Sequence, residues 1–137
     1  QHFQHLTHGF VTQTNSIEIA GRQIKVIGEA SSVIWFNFKD ICHTPRSQND
    51  YLEIAQDYTT VLISNVPQIT EHQDNEARYL INLVDVFYDA RVKLIISAAV
   101  AIDELYLKGR FSFEFARTRS RLLEMQSRAY IHKEHLS

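Results

Sequence analysis

Two uninterrupted apolar stretches, with one amphipathic segment between them, limit what this chain can fold into. Thr60–Val66 reads T-V-L-I-S-N-V and is closed by Pro67, and residues 92–98 read V-K-L-I-I-S-A. Continuous rather than alternating apolarity marks strands buried on both faces. Between them, Ala77, Leu80, Ile81, Val84, Phe87 and Tyr88 recur at helical spacing. Thr70 with Gln73 fits a capping box at the start of that helix. Glu71, Asp74 and Glu76 suit the positive end of its dipole. Two buried strands joined by an amphipathic helix make a β-α-β unit, expected to be parallel and right-handed.

The segments around this unit read as follows. Residues 1–10 resemble the tail of a helix, stopped at Gly9. Residues 16–27 alternate on either side of Ala20-Gly21, which predicts a hairpin. The dense run S-V-I-W-F-N-F predicts a third antiparallel strand. Residues 39–43 make a helical turn that must end before Pro45. Ser47 caps a helix running to about Tyr58. Residues 102–107 form a short helix before Gly109. Phe111, Phe113 and Phe115 alternate and predict a strand with one aromatic face. Residues 117 to about 133 form a final helix rich in arginine. The fold class is therefore α/β in one domain over 1–137. A mixed sheet has a hairpin portion, one parallel β-α-β unit and an Arg-rich terminal helix.

Composition narrows the function classes. The 137 residues are 45% apolar and 22% charged, the balance of a soluble globular domain. One cysteine, Cys42, allows no intrachain disulfide and suits a reducing compartment. A net charge of -2 gives no overall pull toward nucleic acid or an anionic membrane. The longest apolar run, Leu94 to Ile102, is nine residues with Ser97 inside it, against the roughly 20 that a spanning helix needs. The chain begins at Gln1 and its one methionine is Met125, so a fragment or trimmed chain is expected.

Several chemistries lack their residues. The four glycines fit neither G-x-x-x-x-G-K-[ST] nor G-x-G-x-x-G, so no phosphate-cradling loop is present. There is no G-x-S-x-G and no H-E-x-x-H. Cys42 beside His43 is better read as a small core residue than as a nucleophile. His2, His5 and His8, with His132 and His135, have spacing that could place metal ligands on one helix face, but no acid or cysteine cluster joins them. A solvated face is the better reading. The strand at 60–66 ends on Ser64-Asn65, where a magnesium-binding strand would carry an acid.

Two polar rows remain. Arg78, Asn82, Asp85 and Asp89 share one helix face, and Arg117, Arg121, Glu124 and Arg128 share another. The bland reading is two solvated faces with pairs such as Glu124–Arg128. The functional reading is that arginines entering a helix project their planar forks toward a phosphate. Binding of a nucleic-acid backbone by Arg117, Arg119, Arg121 and Arg128 is a third reading, opposed by the near-neutral chain.

Residues 113–130, F-E-F-A-R-T-R-S-R-L-L-E-M-Q-S-R-A-Y, resemble the closing motif of the ZapE-type, AFG1-like cell-division P-loop ATPases. Arg117, Thr118, Ser120, Arg121, Leu122, Glu124, Met125, Ser127 and Tyr130 carry the likeness. W-F-N-F-K-D-I-C-H-T-P at 35–45, D-Y-L-E-I-A-Q-D-Y-T-T-V-L-I-S-N-V-P at 50–67 and N-E-A-R-Y-L-I-N-L-V-D-V-F-Y-D-A-R-V-K-L-I-I-S-A at 75–98 are similar to three further family segments. Tyr79 stands where the family often has a second arginine.

The resemblance implies an AAA+-like ATPase whose phosphate loop, magnesium-binding acid and first sensor lie upstream of Gln1. ATP and magnesium then belong to the parent protein, and no cofactor is expected on this piece. It implies a cytoplasmic protein that remodels a protein partner, such as a component of the division ring, with room for a homo-oligomer. Neither membrane nor nucleic acid is expected as a partner. Arg117 and Arg121, then Arg78, are the candidate nucleotide-sensing or subunit-contact arginines, and no catalytic residue or metal ligand is expected here. On this reading Arg121→Ala cuts ATP turnover and leaves the fold intact. The alternative is a non-enzymatic docking domain that binds its partner through the helix faces.

Overall fold

The computed structural model describes residues 16–42 and 47–136, with the side chains of 128–136 excepted. The expected helix tail at 1–10 lies outside the described residues.

Strands β1 (Ser16–Ile19) and β2 (Arg22–Lys25) form the expected hairpin. Ala20 and Gly21 both have positive φ, 53° and 78°, as the tight primed turns of hairpins demand. The hairpin stands as a sheet of its own. A second hairpin follows, β3 (Gly28–Ala30) against β4 (Val33–Asn37), turning at Ser31 with φ 52°. This corrects the expected third antiparallel strand. β4 does not join the β1-β2 pair; its antiparallel partner is β3, and on its other side it runs parallel to β5. The reason is the crossover after it. Helices α1 (Phe38–Cys42) and α2 (Gln48–Asp57) carry the chain back before β5 (Thr60–Val66), and such a crossover joins parallel strands.

The predicted β-α-β unit is present. β5, α3 (Asp74–Asp89) and β6 (Lys93–Ala98) follow in order, with β5 and β6 parallel and in register from Thr60 opposite Lys93. The second sheet has the order β3-β4-β5-β6. Ile34, Phe36, Val61, Ile63 and Leu94 point from it into the main core with the helices. Leu62 and Ile95 are buried on the opposite face beside Val33 and Trp35. Burial on both faces explains the unbroken apolarity of β5. The indole of Trp35 donates to Ser64 Oγ at 3.1 Å, so its one polar group is satisfied.

Two boundaries differ from expectation. Gln73 does reach back, its Oε1 accepting the Thr70 N–H at 3.0 Å, but the bond closes a turn ahead of the helix, which begins at Asp74. The expected aromatic strand at 111–115 is instead the start of a helix, α4 (Ser112–Leu136). Ser112 Oγ accepts the Gly109 N–H at 3.0 Å and donates to the Gly109 carbonyl at 2.8 Å, fixing the entry. Phe115 N–H then bonds the Phe111 carbonyl at 2.8 Å, the helical i to i−4 step. Phe115 is buried while Phe113 is 90% exposed, so no common aromatic face exists. Of residues 102–107, only Ile102–Glu104 are helical, as one 3-10 turn.

Candidate functional site: the arginine seam between two helices

Helices α3 and α4 run alongside each other in the same direction. Their contacts climb together: Asp74 meets Arg110, Arg78 meets Phe111, Asp85 meets Arg117 and Arg121, and Tyr88 meets Glu124. Sequence reasoning weighed the two polar rows as solvated faces, as arginines aimed at a phosphate, or as a nucleic-acid contact, and did not pair one row with the other. They face each other, and Asp85 of one row pairs across the helices with Arg117 and Arg121 of the other.

Asp85 is the hub. Its Oδ1 accepts Arg121 Nη1 at 2.8 Å and its Oδ2 accepts Arg117 Nη2 at 3.3 Å. The two arginines are not equivalent. The Arg121 side chain is 23% exposed and its guanidinium lies 4.4 Å from the centre of the Tyr88 ring. The Tyr88 hydroxyl in turn donates to Glu124 Oε1 at 2.9 Å. Arg121 is thus packed between a carboxylate and an aromatic face, as suits its flat fork. Arg117 is 61% exposed, oriented by Asp85 from one side only.

Arg78 stands about two turns before Asp85 on α3, roughly 10 Å along the axis. Its guanidinium lies 5.8 Å from the centre of the Phe111 ring, and it is exposed. It also lines a cavity of about 590 Å³ with Ser47, Gln48, Asn49, Tyr79 and Asn82. All three predicted arginines therefore lie on one seam, with Arg117 and Arg121 on one carboxylate and Arg78 apart from them. Arg119 is turned the other way: Nη2 donates to the Tyr106 carbonyl at 3.3 Å, and its fork lies 5.7 Å from the Phe115 ring centre. Arg117, Arg119 and Arg121 do not form a single outward basic row.

A clasp that sequence reasoning missed fixes the entry to this seam. The Tyr106 hydroxyl donates to Asp74 Oδ1 at 2.7 Å and accepts the Phe111 N–H at 3.0 Å. Burial raises the Tyr106 pKa above its ordinary value, the Phe111 N–H opposes this, and Asp74 adds to the rise. A Cβ on Gly109 would stand 2.0 Å from the Tyr106 hydroxyl, so only glycine fits there. Gly109, three residues after Tyr106, was the available signal. A second buried acid, Asp50, ties the first hairpin to α2: it accepts Arg22 Nη2 at 2.7 Å and the Ser47 N–H at 2.9 Å.

Cys42 is fully buried, with Sγ 3.9 Å from the Tyr51 hydroxyl, as the core reading has it. Among the described residues no three His, Cys, Asp or Glu side chains converge to hold a metal. The spaced histidines near both ends lie outside the described side chains. No helix of the described residues is long and apolar enough to cross a membrane.

A mixed α/β layer with a parallel β-α-β unit, closed by a helix that presents oriented arginines, is the class that fold and seam define. The chain matches the family model of the AFG1-like ATPases over residues 1–134, and it belongs to that family. It is 40% identical over 122 residues to the cell division protein ZapE of Escherichia coli, a match covering 89% of this chain and 32% of that protein. It is 32% identical over 115 residues to lactation elevated protein 1 homolog B of Danio rerio, covering 84% of this chain and 23% of that protein. An uncharacterized Schizosaccharomyces pombe protein is 29% identical over 146 residues, at 86% and 32% coverage. The chain spans about a third of the length of the bacterial and yeast relatives. No solved structure matches it.

Proposed function

We propose that this chain is the C-terminal portion of an AAA+-like P-loop ATPase that hydrolyses ATP to remodel a protein partner. By likeness to the relative named for cell division, the setting is bacterial cell division in the cytoplasm, with a division-ring component as the partner. ATP and magnesium are held by residues upstream, and no magnesium step is assigned to this chain. Bound ATP supplies the anhydride bond, and this chain supplies oriented positive charge beside it.

The observation that carries the reading is the unequal grip of Asp85. One oxygen locks Arg121 into the seam, and the other steadies Arg117 while most of that side chain stays in solvent. A half-fixed, exposed fork loses little freedom on meeting a phosphate oxygen. Arg117 is thus the candidate nucleotide or subunit contact, Arg78 a second at the far end of the seam, and Arg121 a positioning residue.

The test is to read the gene upstream of Gln1 and to assay the whole protein. The reading expects a G-x-x-x-x-G-K-[ST] motif within about 300 residues, ATP turnover by the whole protein and none by residues 1–137 alone. Lack of that motif, or turnover that survives its Lys→Ala change, overturns the reading. A non-enzymatic docking domain is the rival, favoured by the bare Phe113. Partner capture unaffected by loss of Arg117 and Arg78 would support it.

A further inference from the structure

We propose that Arg78 and Arg110, both set over the ring of Phe111, form a clamp for a phosphate dianion at the start of the seam. The inference rests on the contact role proposed for Arg78 and adds its second arginine and its ligand; it does not rest on ATP hydrolysis.

The guanidinium carbon of Arg78 lies 5.8 Å from the centre of the Phe111 ring and that of Arg110 lies 5.6 Å from it, so the two cannot be more than 11.4 Å apart. That is close enough for two long side chains to reach one ligand, and both residues are exposed. The ring they share is fixed. Phe111 is half-buried, its N–H donates to the Tyr106 hydroxyl at 3.0 Å, and its carbonyl accepts the Phe115 N–H at 2.8 Å. A guanidinium whose flat face rests on an aromatic keeps its N–H edge free to donate.

Two like charges thus share one ring, and neither has an acid. Among the described residues Arg22 pairs with Asp50, and Arg117 and Arg121 pair with Asp85, but no carboxylate forms an ion pair with Arg78 or Arg110. Asp74 is near, yet its Oδ1 accepts the Tyr106 hydroxyl and the backbone N–H of Arg110 rather than a guanidinium. Glu114, exposed one turn after Arg110, pairs with neither arginine. The clamp therefore carries two positive charges, which a phosphate monoester or pyrophosphate balances and a single carboxylate does not. Arg78 also borders the cavity of about 590 Å³, whose described walls at Ser47, Gln48, Asn49, Tyr79 and Asn82 carry no acid. Their amides and hydroxyls suit the remainder of a molecule that ends in the phosphate. The clamp is separate from the Asp85 site, which lies about two helical turns further along α3.

Calorimetric titration of the whole protein with inorganic pyrophosphate, free of magnesium and at fixed ionic strength, tests this. Where a phosphate-loop motif lies upstream, its lysine is first changed to alanine, so that the clamp is the site read; without that motif the protein is used unchanged. One saturable site is expected, weakened at least about fivefold by Arg78→Ala and by Arg110→Ala and only partly restored by Arg110→Lys. Phe111→Leu, with circular dichroism unchanged, should weaken it at least about threefold, because the arginines keep their charge and lose their platform. Lys93→Ala removes an exposed charge beyond the far end of α3 and should have no effect. Displacement by ADP would identify a nucleotide as the source of the phosphate, and no displacement a separate phosphate compound; both results support the clamp. Four results would each overturn it: no saturable binding, as when an acid from the rest of the protein already fills the clamp; affinity indifferent to both arginine variants; full affinity in Phe111→Leu; or an equal loss in Lys93→Ala.

Discussion

The Gln126 side chain takes the place of a strand beside Ile96. Its Oε1 accepts the Ile96 N–H at 3.1 Å, and its Nε2 donates to the Leu94 carbonyl two residues back at 2.7 Å. β6 is the last strand of its sheet, so these two groups would otherwise be open edge bonds. One amide from α4 satisfies two groups of that edge and ties the helix to the sheet.

Gln126→Leu should therefore cost about 1–3 kcal/mol, the usual penalty for stranding part-buried backbone groups. Gln126→Glu should recover little of it, since a carboxylate cannot donate to Leu94. Chemical denaturation measures the loss, and light scattering should report more aggregation through the opened edge.

Arg121 and Arg117 should separate in stability. Arg121→Ala removes the contact with Tyr88 and the shorter bond to Asp85, and should cost about 1–2 kcal/mol. Arg117→Ala should fall below about 0.5 kcal/mol, as exposed pairs do. Equal losses in thermal melts would show that Asp85 grips both alike.

Gly109→Ala should be among the most damaging single-methyl changes in the chain, at about 2–3 kcal/mol. The new Cβ occupies the place of the Tyr106 hydroxyl and must push it off Asp74. Adding Tyr106→Phe removes the colliding oxygen, so the double variant should lose less than the sum of the single losses. Additive losses would place the damage elsewhere.

Stability should fall on the alkaline side through two phenols. Burial first, and then the hydrogen bond to Glu29, raises Tyr58 far above its ordinary 10.0. Tyr106 is raised in the same direction, again by burial first. A phenol that keeps its proton in the fold contributes fully below the unfolded value, near pH 10. The contribution drains away as pH rises from there toward the folded value. Tyr58→Phe should flatten the fall of Tm above about pH 10; an unchanged slope would remove Tyr58 from this account.

Much of this architecture was legible from residues 60–98, because a buried strand, a striped helix and a second buried strand admit one local arrangement. Ser47, the Ala20-Gly21 turn and the Thr60–Val66 limits were readable for the same reason: each rests on neighbouring residues. The misreadings have physical causes. Phe111, Phe113 and Phe115 alternate, but the Gly109–Ser112 cap starts a helix, and position 113 then turns to solvent. β4 was assigned to the wrong hairpin because strand partners depend on where the crossover returns. The arginines were found as a pattern. That Asp85 joins two of them was invisible, since it lies 32 and 36 positions away and no local rule pairs them.

The central claim is that Arg117, steadied by Asp85, serves the nucleotide while Arg121 serves the fold. ATP turnover by the whole protein carrying Arg117→Ala tests it most directly, with Arg117→Lys beside it and Tm measured on both. The account predicts kcat at least about tenfold lower for Arg117→Ala, only partial recovery with lysine, and Tm close to the parent, since a lost arginine contact at a phosphoryl group is costly and an exposed ion pair is not. Wild-type turnover in Arg117→Ala, with the fold intact, would contradict it.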